Sequence, residues 1–316
     1  MGQSTNSNIF RIGYKNNEWS SKYKEKNKEE KFIYVYQDLK VRKLIENFLK
    51  YFNILVCFIK LNRTNKFLNV YISFYITSKS FYFINNFDLN KDYFILEKIS
   101  KRKIKFFKNK RFIKKKLNNN RLWDIKSLKI NKLYKKLKIK TFFYKLLESI
   151  SIFLNFKINV SIILQNINKG LSLRFKNLQS KLFRKKIIKL RKYFNKEFFK
   201  ETVNIITIVI YKKFSSKLLS NFIAYQIENL KSHNFFLNFI KRVFLIFLNS
   251  NFSSINGLKI LINGRLNGKP RAKSYLIKEG SINLQTLDSD IDYNQSTAYT
   301  HDGTLGVKVW INRKCL

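Results

Sequence analysis

"DSDIDYNQSTAYTHDGTLGVKVWI", residues 288–311, carries four aspartates in a chain that has only 19 acidic residues among 316. Either Asp288, Asp290, Asp292 and Asp302 form a metal or catalytic cluster, or they belong to a β scaffold. A calcium loop starting at Asp288 would need glycine at its sixth position and a bidentate glutamate at its twelfth. Tyr293 and Tyr299 stand there instead. A two-metal nuclease needs several converging carboxylates. On an extended strand Asp288, Asp290 and Asp292 share one face and Ile291 and Tyr293 the other, but only Asp302 joins them in this part of the chain. Aspartate also caps turns and accepts hydrogen bonds from backbone amides. The stretch therefore reads as a structural turn and strand.

The surrounding sequence agrees. Six of the nine glycines and the single proline fall in residues 257–316. There "GLKILING", "AKSYLIKEG" and "TLGVKVWI" are strand-like runs punctuated by Gly264, Gly268, Gly280, Gly303 and Gly306, where backbone must turn tightly or approach a neighbour. This pattern predicts a compact α+β module. "GRLNGKPR" is basic and glycine-containing but lacks the spacing of a phosphate loop. His233 and His301 have no partner at ligand spacing, and no nucleophile–base pair is visible. Arg265, Lys269, Arg271, Lys273 and Lys278 form a basic edge suited to phosphates; a β edge guarded by lysine against strand pairing is the plainer alternative.

Charge separates this module from the rest. Residues 257–316 carry nine bases against five acids, or +4, whereas the whole chain carries +45 from 64 Lys and Arg against 19 Asp and Glu. Like charges in that excess repel in a compact state and call for a polyanion, either nucleic acid or an acidic membrane surface. AT-rich codons account for some of the Lys, Asn, Ile, Phe and Tyr, but not for the dominance of Lys over Glu. Residues 101–145 hold 19 bases and one acid, Asp124, and residues 172–196 hold ten bases and no acid. Hydrophobic residues, Trp123 and Tyr134 among them, interleave these bases, a mixture suited to contact with RNA. The apolar runs "YFNILVCFI" (51–59) and "VNIITIVIY" (203–211) span about half a bilayer, so no membrane crossing is expected. Cys57 and Cys315 make neither a metal-ligand spacing nor a disulfide framework.

Periodicity predicts a helix over 38–50 with Val41, Leu44, Ile45, Phe48 and Leu49 on one face and Asp38 as its cap. Strands follow at 54–61 and 67–77. An apolar helix is expected over 143–156, a strand over 157–167, and helical periodicity over 217–248.

Residues 257–268, 278–300 and 306–311 resemble the C-terminal part of the ribosomal protein S3 family. "MGQ" with Asn8, Arg11 and Gly13, and "DLKVRKLIENFL" (38–49), resemble the family's front. The resemblance implies an α+β chain: an N-terminal extension (1–37), a degenerate type II KH-like domain (38–170) interrupted by a basic insertion (80–142), a second basic insertion (171–214), and a C-terminal S3 domain (215–316). It implies a non-enzymatic constituent of the small-subunit head, bound to small-subunit rRNA beside the mRNA entry channel and to neighbouring head proteins, with no cofactor and no metal. The RNA-contact candidates are Arg11, Lys40, Arg42, Lys241, Arg242, Arg265, Lys269, Arg271, Lys273 and Lys278. One departure stands out: a KH domain grips nucleotides with a G-x-x-G loop, yet no glycine lies between Gly13 and Gly170. The composition and the absence of a signal or transit-type N-terminus point to an organelle-encoded, mitochondrial version rather than a plastid one. An intron endonuclease or maturase and a free RNA chaperone are the alternatives.

Overall fold

A computed structural model describes residues 6–14, 19–80, 142–168, 185–211, 215–248, 254–268, 270 and 273–314. The elements are α1 (Ser7–Phe10), β1 (Ser21–Tyr23), α2 (Glu30–Tyr51), β2 (Ile54–Arg63), β3 (Phe67–Ile76), α3 (142–153), β4 (Asn159–Asn166), α4 (Phe198–Tyr211), α5 (Ser216–Asn229), α6 (Asn234–Leu248), β5 (Ile255–Asn263), β6 (Ser274–Gly280), β7 (Asp290–Thr300) and β8 (Gly303–Arg313). They build two four-stranded sheets. The chain is α+β, as its sequence predicts.

The first sheet has the order β1-β2-β3-β4, with β2 and β3 antiparallel and both outer pairs parallel. Alternating apolar residues on β2 and β3 send Ile54, Val56, Ile59, Leu61, Leu68, Val70, Ile72 and Phe74 into one core. Val41, Ile45 and Leu49 of α2, with Phe142, Leu146 and Ile150 of α3, close that core from above. A bulge at Cys57 shifts the β2 register, and Leu55, Cys57 and Tyr75 turn toward a second core. The helix–strand–strand–helix–strand order is compatible with a KH-like scaffold. The stretch where a G-x-x-G loop would sit, within 81–141, lies outside the described residues, as does 171–184 of the second expected insertion.

The second sheet is wholly antiparallel, in the order β6-β5-β8-β7. Leu258, Ile260, Ile262, Leu305, Val307, Val309 and Ile311 face α5 and α6. Gly257 and Gly280 are register partners, and a Cβ on either would lie within 2.3 Å of backbone oxygen, of Ser281 and Asn256 respectively. Only glycine allows the two strand ends to close there.

Two expectations need correction. Helix α2 begins at Glu30, and Asp38 sits in its interior rather than at its cap. Tyr34, Asp38, Val41, Ile45 and Leu49 form one buried stripe, and Asp38 is accommodated because Arg63 of β2 meets it at 3.5 Å. The Arg63 guanidinium also lies 4.3 Å from the centre of the Tyr34 ring and donates to Gln37. Burial raises the Asp38 carboxyl above its ordinary range, and Arg63 opposes that rise. The second correction concerns 171–214, expected as an insertion. Its part 198–211 is helix α4, with Val203, Ile205, Ile206, Ile208, Val209 and Ile210 in the core. The run that was too short to cross a membrane is long enough for a buried helix.

Removing one member of a buried ion pair leaves the other uncompensated, typically at about 3–5 kcal/mol. Asp38→Ala is therefore expected to lower urea-unfolding stability by roughly 3 kcal/mol. Lys217→Ala, which breaks a half-exposed bridge to Glu46, is expected to cost less than about 1 kcal/mol in the same measurement.

Candidate nucleic-acid interface

The aspartates of 288–292 hold the structure together. Asp292 accepts from the Ser216 backbone N–H at 2.9 Å and from its Oγ at 2.6 Å, so it caps α5 from the neighbouring sheet. Arg313, on the paired strand β8, donates to the Ser215 Oγ at 2.9 Å and the Val209 carbonyl at 3.2 Å. Burial pushes the Asp292 carboxyl up, against its two bonds from Ser216 and the charge of Arg313. Burial likewise lowers Arg313, opposed by Asp292 and Asp290. Asp288 accepts the Tyr14 hydroxyl at 2.9 Å. Asp302 and His301 are exposed in the turn between β7 and β8. His233 is buried and placed against the Ile227 carbonyl, between α5 and α6. Among the described residues no group of three or more His, Cys, Asp and Glu is arranged to hold a metal. Asp288 and Asp292 are thus engaged in structural hydrogen bonds.

Segment 6–14 lies across the outer edge of the second sheet. Asn8 exchanges two hydrogen bonds with the backbone of Tyr293 on edge strand β7, at 2.8 and 2.9 Å, as another strand would. Arg11 is 1% exposed. Its guanidinium donates to the carbonyls of Ser7, Leu284, Thr286 and Ser289 and to the Ser289 Oγ, at 2.8–3.1 Å. This corrects its assignment as an RNA contact: the planar fork is enclosed by carbonyls and turned away from solvent. Arg42 is half-buried and donates to the Ile59 and Ser20 carbonyls and the Ser21 hydroxyl, tying α2 to β1 and β2. It too acts inside the fold. From sequence alone a buried arginine looks like any other.

The remaining candidates are displayed. Lys40 is exposed on α2, with its Nζ 5.3 Å from the Tyr36 ring centre. Lys241 and Arg242 occupy the solvent face of α6, and Arg242 lies over the Tyr193 ring at 5.8 Å. Helix α6 packs on β6, the free edge of the second sheet. That edge and the β5–β6 hairpin carry exposed Arg265, Lys273 and Lys278. Lys269 and Arg271 lie outside the described residues. The structure thus brings Lys241, Arg242, Arg265, Lys273 and Lys278 to neighbouring elements and leaves Lys40 on the other sheet.

One contributor was missed from sequence. Lys278, Lys259, Trp310 and Tyr293 occupy a single row across the four strands. The Lys259 Nζ is 5.0 Å from the Trp310 ring centre, and that ring is 5.1 Å from Tyr293. Directly opposed like charges destabilise a sheet, so an anion over Lys259 and Lys278 would relieve a built-in cost. The signal was present, since Lys259 sits between Leu258 and Ile260, both of which face the core.

Comparison with known proteins fits this geometry. Residues 236–311, running from α6 through β8, match the family model "Ribosomal protein S3, C-terminal domain". The small ribosomal subunit protein uS3 of Borrelia duttonii is 40% identical over 99 residues, 31% of this chain and 34% of its own length. That of Neorickettsia sennetsu is 38% identical over 122 residues, 38% of this chain and 54% of its own.

Over its C-terminal part the chain is similar to the uS3 proteins.

A uS3c protein from Cyanidium caldarium is 54% identical over 59 residues, 19% of this chain and 28% of its own length. The chain spans between about a quarter and about half the length of these uS3 relatives. Residues 236–311, which match the family model, carry nine Lys and Arg against five acids, and Arg11 and Asn8 dock directly onto them.

Truncating Arg11 would leave several carbonyls without a donor, each unmatched group costing about 1–3 kcal/mol when buried. Arg11→Ala is expected to lower urea-unfolding stability by roughly 3 kcal/mol. Arg11→Lys should recover little of it, because an ammonium cannot reproduce the fork.

Proposed function

We propose that the chain is a non-enzymatic structural constituent of the small ribosomal subunit, held in the subunit head by rRNA near the mRNA entry channel and by adjoining head proteins. The observation that carries this reading is the match of 236–311 to the S3 C-terminal domain, combined with cations exposed along its α6–β6 side. A net charge of +45 supports a polyanionic environment. The order of α2, β2, β3, α3 and β4 supports a KH-like N-terminal domain, in which the absence of glycine from 14–169 removes the usual loop grip on nucleotides. Lys40, Lys241, Arg242, Arg265, Lys269, Arg271, Lys273 and Lys278 are the proposed phosphate contacts, with Lys259 added from the sheet row. The codon-biased composition supports an organellar, mitochondrial ribosome rather than a plastid one. Lys241 and Arg242 are the residues proposed nearest the mRNA path.

The test is sedimentation with small ribosomal subunits through high salt. Co-migration is expected, and release into the light fractions would favour the free-chaperone reading. Replacing any one of Lys241, Arg265, Lys273 or Lys278 by Gln is expected to lower the slope of log affinity against log salt by about one for small-subunit rRNA. An unchanged slope in all four variants would remove this edge from the interface.

A further inference from the structure

The β5–β6 hairpin and helix α6 carry the cations described above, and one side chain joins the two elements. Residues 264–268 turn the chain out of β5. Gly264 and Gly268 have φ of 127° and 73°, and Asn267 between them is also left-handed, at φ 50° and ψ 47°. Glycine takes that conformation without strain, and asparagine is one of the few other residues that visit it routinely. An asparagine here adds a side chain where the backbone asks only for glycine. Its Oδ1 accepts the His233 backbone N–H at 3.1 Å, and its Nδ2 donates to the Asn234 Oδ1 at 2.8 Å.

Both ends of this clamp are fixed. The His233 carbonyl accepts the Leu237 N–H at 3.0 Å in the first turn of α6, and its buried imidazole lies 3.1 Å from the Ile227 carbonyl of α5. Leu266, beside Asn267, is buried in the core. One helical turn beyond Asn234, the Tyr275 hydroxyl of β6 meets the Asn238 Oδ1 at 3.5 Å. Asn234, Asn238, Lys241 and Arg242 follow the i, i+4, i+7, i+8 spacing of one helix face. The links therefore run along the side of α6 that leads to Lys241 and Arg242. They are all between neutral groups. A carboxylate in the clamp would cancel part of the field of the surrounding cations, whereas an amide pair fixes the elements and leaves that field intact.

We propose that Asn267 is a positioning residue for phosphate contact: by locking the β5–β6 loop to the first turn of α6, it holds Arg265 and Lys273 in register with Lys241 and Arg242, so that both groups meet one run of RNA phosphates. The proposal rests on the rRNA-binding reading above and gives that surface a defined geometry. Cations on unlinked elements would still attract any polyanion. Phosphate contacts that set orientation need cations at fixed separations, and ordering them in the free protein removes that cost from the complex. Asn267 thus acts on discrimination between RNAs rather than on attraction.

The experiment uses the full chain, small-subunit rRNA and an unrelated RNA of equal length, all at one salt concentration because affinity falls with salt. Asn267→Gly keeps the left-handed backbone and removes the clamp. It is expected to weaken small-subunit rRNA binding about tenfold, since ordering of the loop then falls on the binding step. Asn234→Ala, at the exposed start of α6, is expected to weaken it roughly threefold, because the bond to the His233 N–H remains. Binding of the unrelated RNA should not change in either variant. A second readout separates positioning from stability. In the wild-type background the losses caused by Lys241→Gln and Lys273→Gln are expected to couple, because the two cations serve one docked arrangement. In the Asn267→Gly background they should simply multiply. Coupling of equal size in both backgrounds, an unchanged rRNA affinity in Asn267→Gly, or an equal loss on the two RNAs would each overturn the proposal while leaving the rRNA-binding reading intact. Failure of the wild-type chain to bind small-subunit rRNA more tightly than the unrelated RNA would defeat that reading, and the proposal with it. Should Asn267→Gly not fold, Asn234→Ala takes its place in both measurements, with the same outcomes deciding.

Discussion

Helix α5 is the member on which the two halves of the molecule depend. Leu218, Leu219, Phe222, Ile223, Ala224 and Ile227 are all buried, and the helix packs against β2 of the first sheet and against β7 and β8 of the second. A helix enclosed from two sides must satisfy its terminal backbone groups with protein, because water has little access. Asp292 does so at the N-terminus through Ser216. Along its length Asn221 donates to the Val56 carbonyl on one sheet, while the Ser220 carbonyl accepts the Ser296 hydroxyl of the other. Glu228 accepts the Tyr299 N–H near the far end. Each sheet therefore supplies part of the polar support for the same helix, and neither could be displaced without exposing it.

This arrangement also explains the uneven distribution of charge. Where arginines are needed inside, at Arg11, Arg63 and Arg313, each lies against carbonyls, hydroxyls or a carboxylate. Asp38 and Asp292 are thereby drawn inward, leaving 17 of the chain's 19 acids against 64 Lys and Arg. The outward row of Lys259 and Lys278 and the displayed face of α6 are the result. A surface of that kind is stable when an external polyanion adjoins it.

The fold was largely legible from sequence where a single physical rule operates. The largely apolar runs "ILVCFIKL" and "FLNVYISFYIT" marked β2 and β3 because residues on both faces of those strands meet a core. Glycine placement marked the second sheet, because Gly257 and Gly280 face each other too closely for any Cβ. Errors arose where long-range partners override local preference. Asp38 has the appearance of a cap, yet Arg63, 25 residues away, makes it tolerable inside a helix. Residues 30–37 do not look like a helix start, since Phe32, Ile33, Val35 and Tyr36 are exposed and interrupt the apolar period. The candidate interface was legible only as a set of cations. Lys241, Arg242, Arg265, Lys273 and Lys278 proved to be displayed, whereas Arg11 and Arg42 turned inward to backbone carbonyls.

By itself the sequence determined the α+β class, the strand-like runs of the C-terminal part, the excess of positive charge and the failure of the calcium-loop pattern. These depend on residue type, spacing and summed charge, which are local or additive quantities. The tertiary structure alone decided which arginines are structural, that Asp292 caps a helix 76 residues earlier in the chain, and that Lys259, Trp310 and Lys278 form one row with Tyr293. Those outcomes turn on which distant groups become neighbours. Spacing along a chain does not specify that, because contact between remote segments is set by how two cores close around one helix.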